Sequence, residues 1–136
     1  MRRIAGRSDR GALTLSYVII VPVFLAGLLV IVQASVWYLA REAALAAARS
    51  GVDAARLRGA APGAGAAAAL AFARSAAPGF LLHPAASAQV PPPAAAGGAP
   101  GTARVFVTGT VPSLIPGLPL NVTQVAAAPM EQFTTP

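Results

Sequence analysis

Thirty consecutive residues, 11–40, carry no charged side chain. Within them, residues 17–39 are apolar except for Gln33 and Ser35. As an α-helix at 1.5 Å per residue this stretch reaches about 34 Å, against a hydrocarbon core about 30 Å thick. In lipid every backbone polar group must be satisfied internally, which a helix does on its own. The rest of the chain is too poor in large apolar side chains to bury such a helix. Its hydrophobic content of 56% rests heavily on alanine, which supplies 34 of the 136 residues. Residues 11–40 therefore read as a membrane-spanning helix. Pro22 falls near the start of the apolar stretch and predicts a local bend. Trp37 and Tyr38 lie at its far end, where interfacial aromatics belong.

The flanks set the expected orientation. Residues 1–10 form a basic leader with four Arg and one Asp, a sum of +3. Residues 41–58 carry four Arg, one Glu and one Asp, a sum of +2. The positive-inside rule then places the N-terminus in the cytoplasm and the C-terminus outside the cell. A cleaved secretory signal is the competing reading, with Ala44-Leu45-Ala46 as a small-x-small cleavage pattern. The apolar stretch is longer than the usual 7–15 residues of a signal core, which favours an uncleaved anchor.

Charged residues make up only 10% of the chain, whereas soluble domains carry roughly 25%. That composition points away from an ordinary cytoplasmic enzyme. With no Cys, disulfides and thiolate metal sites are excluded. The single histidine, His83, stands beside Pro84 in what reads as a loop, and Asp9, Glu42, Asp53 and Glu131 are scattered. No catalytic, metal or cofactor-binding constellation can be drawn from these residues, so no enzyme, cofactor or small-molecule substrate is expected. Gly63-Ala-Gly65 lacks the Lys-Ser/Thr of a phosphate loop. The Arg residues of the leader lack interleaved aromatics and abut a span, so lipid rather than nucleic acid is the expected contact.

Beyond the membrane the helix is expected to continue through 41–58, a segment dense in alanine, the strongest helix former. At 100° per residue, Arg41, Glu42, Arg49, Asp53 and Arg56 fall on one arc, with Arg49 and Asp53 spaced to pair. This stripe is either a solvated face or a surface that meets neighbouring subunits. Residues 59–102 are rich in Ala, Gly and Pro. A short helix is expected near 64–77, with Leu70, Phe72, Phe80, Leu81 and Leu82 available to pack it onto the first helix. Pro91-Pro92-Pro93 and Gly97-Gly98 mark a linker. Residues 103–133 form the tail. Period-2 alternation predicts a strand over 104–111, with Val105, Val107 and Val111 on one face and Arg104, Phe106, Thr108 and Thr110 on the other. A second strand over 120–127 would complete an antiparallel β-hairpin. The expected fold class is thus α+β.

Several segments resemble a known family. These are Asp9-Arg10-Gly11 ahead of the apolar helix, Arg10-Gly-Ala-Leu-Thr-Leu-Ser16, Val21-Pro-Val23 and Val32-Gln-Ala34 before Trp37-Tyr38. Next come residues 40–49, Gly51-Val-Asp-Ala-Ala-Arg56, Val105-Phe-Val-Thr-Gly109, residues 111–118 and Pro129-Met-Glu-Gln-Phe133. Together they resemble the TadE-like pseudopilins of tight-adherence (Tad/Flp) pilus systems, of the actinobacterial type. The resemblance implies a minor pseudopilin or assembly factor of a Tad-type pilus or secretion system. Its implied partners are the lipid bilayer, sister pseudopilins and the Tad membrane machinery. It also implies a leader-peptidase cut between Gly11 and Ala12. The fifth residue beyond that cut is Glu in the family and Ser16 here. In the family that Glu helps a subunit dock within the membrane, so the departure fits an assembly or accessory factor better than a major pilin. A single-pass anchored or secreted binding module unrelated to pili is the alternative.

Overall fold

The computed structural model describes residues 10–57, 59–92 and 101–130. The apolar stretch and the alanine-rich stretch behind it form one helix, α1 (Arg10–Ala55, 46 residues), about 69 Å long at 1.5 Å per residue. No proline occurs between Pro22 and Pro62, so nothing breaks the hydrogen-bond ladder past the first turns. Pro22 itself is carried inside α1. The chain divides into two compact units, Met1–Ala34 and Ser35–Pro136, and α1 runs through both.

In the second unit α1 is amphipathic in an unusual way: its inward face is made of small side chains. Ala40, Ala44, Ala47, Ala48, Val52 and Ala55 are buried at three- and four-residue spacing, one stripe of a 3.6-residue helix. The opposing helix, α2 (Ala64–Ala76), buries Gly65, Ala69 and Ala73. Gly63 turns the chain into α2 at φ 82°, a left-handed conformation that glycine adopts without a Cβ penalty. Small faces let the two backbones approach closely. A Cβ on Gly51 would lie 2.7 Å from the Gly65 carbonyl oxygen, 2.8 Å from Ala69 Cβ and 2.9 Å from Val105 Cγ1. Alanine therefore stabilises this unit through close helix contact rather than through large buried side chains.

The sheet has three strands: β1 (Leu82–Gln89), β2 (Thr102–Val111) and β3 (Leu120–Pro129). Their order is β1-β2-β3 and both pairings are antiparallel. Val105, Val107 and Val111 are the largest fully buried side chains, so the expected inward face of β2 is the observed one. In the β2–β3 ladder Val105 faces Ala126, and in the β1–β2 ladder it faces Ala88. The inner surface of the sheet is thus valine flanked by alanine, and it closes over the alanine faces of the two helices.

Three expectations need correction. The tail is not a two-stranded hairpin, because a third strand, β1, comes from the segment expected to hold a helix and a linker. Leu82-His-Pro-Ala-Ala-Ser-Ala-Gln89 has little intrinsic β-preference. It extends because β2 offers it an unpaired edge, and two strands alone would be marginal. His83 accordingly lies within β1, not in a loop, at φ 49° beside a register shift between Leu82 and Ala85. Finally, Phe72, Phe80 and Leu82 do not pack α2 onto α1. They are exposed, Leu70 is half-buried, and only Leu81 enters the core. The bulkier residues are excluded because the α1–α2 contact is too close to admit them. The expected helix extension 41–58 ends at Ala55, and the expected helix 64–77 is α2. The leader up to residue 9, Arg58, linker residues 93–100 and tail residues 131–133 lie outside the described residues.

Candidate functional site

The chain's most distinctive surface is the apolar half of α1. From Tyr17 to Ile31 every large hydrophobic side chain is exposed, Phe24 at 69% and Ile31 at 65%. Monomeric soluble proteins rarely leave contiguous apolar patches beyond a few hundred Å² uncovered. Here a helical rod is apolar on all sides, the pattern of a segment whose solvent is lipid. The helix is long and apolar enough to cross a membrane, and it lies near the N-terminus. Among its described side chains, Gln33 is the buried polar one, at 8% exposure.

The residues of the implied leader-peptidase site, Gly11 and Ala12, lie in the first turns of α1, and Ser16 follows one turn further on. The Gly11–Ala12 bond is therefore helical, at the boundary between the leader and the span. The alternative signal-peptidase site lies in a very different place. Ala44 and Ala47 are fully buried in the α1 stripe that packs the folded unit. A cut after Ala46 would remove Ala40 and Ala44 from the core.

The charged arc of α1 lies outside the buried alanine stripe. Arg41, Glu42, Arg49 and Asp53 are exposed, and Arg56 is half-buried. The ion pair on this face joins Arg56 Nε to Asp53 at 3.1 Å, three residues apart. It is not the Arg49–Asp53 pair that the spacing suggested. At this exposure such a pair adds little stability. Arg41 and Arg49 thus stand on an accessible surface.

No cluster of three His, Cys, Asp or Glu side chains that could hold a metal exists among the described residues. His83 is exposed in strand β1.

Residues 114–119 read from the sequence as an apolar, turn-rich loop, and they form one. The loop between β2 and β3 exposes Leu114, Ile115 and Leu118. It is internally braced: the Ile115 N–H donates to Ser113 Oγ at 3.1 Å, and the Leu118 N–H donates to the Ile115 carbonyl at 3.3 Å. Gly117 closes the turn at φ 81°. The signal was present as three large aliphatics between prolines, Pro112, Pro116 and Pro119, without a charge. No protein-family model, curated protein or solved structure matches this chain.

Proposed function

We propose that this chain is a single-pass membrane protein of the TadE-like pseudopilin type. Its role is that of a minor pseudopilin or assembly factor in a Tad-type pilus or secretion system. The observation that carries the reading is α1 itself. One unbroken helix supplies an all-round apolar segment and, past Ser35, the spine of a small α+β unit. Such a helix suits a subunit that is held in a bilayer while it presents a folded unit at the surface. The alanine stripe supports the same reading, because the spine is part of the core and cannot be shed as a signal peptide without dismantling the fold.

In this reading the leader stays in the cytoplasm and the β-sheet unit lies outside, as the flanking arginines direct. The exposed stripe around Arg49 is the surface offered to sister pseudopilins. Ser16 in place of the family Glu leaves the span without a carboxylate to seek a partner in the membrane, where such a group is costly and kept for function. The role is therefore accessory rather than that of a polymerising major subunit. Co-expression with sister pseudopilins and the Tad membrane proteins, with a photo-crosslinker in place of Arg49, tests this. Crosslinks to a sister pseudopilin are expected, and Ser16→Glu should increase their yield. Absence of crosslinks from position 49 in both backgrounds would count against the pseudopilin role.

A further inference from the structure

The direction of the elements inside the folded unit can be read from their contacts. Gly65, at the start of α2, meets Ala55 and Gly51, whereas Ala69, one turn on, meets Gly51. Helix α2 thus runs back along α1, away from Ala55. Strand β2 runs the same way: Val105 lies against Gly51, and a Cβ at Gly109 would run into Leu81, just beyond the end of α2. The α2–β1 turn and the β2–β3 loop are therefore at one end of the unit. It is the end where α1 enters at Ser35, and Val36 packs there against the core. The α1–α2 turn, with Ala61, is at the opposite end.

The two ends differ in chemistry. The entry end exposes Trp37, Tyr38 and Leu39 on α1, Phe80 and Leu82 beside the α2–β1 turn, and Ile115 and Leu118 in the braced loop. Residues 77–90 and 112–120 contain no charged side chain. On the helices, the charges nearest to these segments in sequence are Arg41 and Glu42 on α1 and Arg74 on α2, all exposed. Apolar loops at the same end of the unit as Trp37 and Tyr38, with Arg41 and Arg74 on the neighbouring helices, match the layered chemistry of a bilayer interface.

We propose that this end of the folded unit docks on the lipid surface, with Ile115, Leu118, Phe80 and Leu82 seated in the interfacial layer of the membrane that α1 crosses. The docking rests on the membrane-span reading of α1. Arg41 and Arg74 would reach lipid phosphates from the rim, their stems lying along apolar surface.

The chain has no cysteine, so single-cysteine variants can carry one fluorescent probe each. The full chain is reconstituted into phosphatidylcholine–phosphatidylglycerol vesicles containing spin-labelled lipids. Probes are placed by Ile115→Cys, Leu118→Cys, Ala61→Cys and Leu28→Cys. The expected result is blue-shifted emission and loss of fluorescence to lipid quenchers at 115, 118 and 28, with the probe at 61 unaffected. If 28 is quenched while 115 and 118 behave like 61, the anchor stands and the docking is overturned. If 115 and 118 are blue-shifted but no lipid quencher reaches them, a protein covers the loop and the docking is likewise overturned. An unquenched probe at 28 would overturn the span and the docking with it.

Discussion

Replacing Gly51 with Ala isolates the helix contact on which the folded unit rests. The added methyl would sit 2.7 Å from the Gly65 carbonyl oxygen, 2.8 Å from Ala69 Cβ and 2.9 Å from Val105 Cγ1. One of these is backbone and cannot swing aside. Overpacking of a filled core costs about 1–3 kcal/mol. Against it, Ala is favoured over Gly in a helix interior by about 1 kcal/mol. Crowding on three sides places the clash in the upper part of its range, so the net effect is a loss of about 1–2 kcal/mol. That loss raises the opened population about 5–30-fold. Hydrogen exchange of the β2 amides, measured on the full chain in lipid nanodiscs, should accelerate by the same factor where exchange proceeds through opening of the unit. Gly27→Ala is the matched control, because a Cβ there meets nothing within 4 Å, and β2 exchange should not change. Exchange in Gly51→Ala as slow as in the unsubstituted chain would refute the close α1–α2 contact.

Other outcomes follow from the same account. Leu28→Arg places a charge near the middle of the span, at a cost of about 2.5–3.5 kcal/mol on insertion scales, and should reduce the membrane-bound fraction; unchanged retention would show that another segment is the anchor. Val107→Ala empties part of a fully buried site and should cost about 2 kcal/mol, lowering Tm by about 10 °C, whereas Val125→Ala on the exposed face should stay within about 0.5 kcal/mol. A protease-sensitive reporter fused after Pro136 should be cleaved from outside intact cells, and protection would reverse the orientation.

The long apolar helix and strand β2 were legible because each shows a clear pattern: apolar on all sides for α1 up to Leu39, alternation for Val105, Val107 and Val111. The length of α1 was legible too, from alanine content and the absence of proline. What the sequence hid was the third strand. Ala85, Ala86 and Ala88 alternate between exposed and half-buried positions in β1, but alanine carries no polarity contrast through which alternation could be read. The same uniformity concealed the packing of α2. Phe72 and Phe80 looked like its anchors, yet the contact is made by Gly65, Ala69 and Ala73, whose small size decides the geometry. Of the site residues, the charged arc of α1 was placed correctly, while its ion pair shifted from Arg49 to Arg56 because Arg56 Nε lies within reach of Asp53 one turn further along.

The mass of the mature chain tests the central claim most directly, because an anchored subunit must keep α1 joined to the sheet. Intact mass spectrometry is applied to the membrane and medium fractions of cells expressing the full sequence. The account predicts a membrane-bound species beginning at Met1, or at Ala12 after removal of the leader. A species beginning at Ala47 and recovered from the medium would contradict it, since that cut severs the helix within its own core.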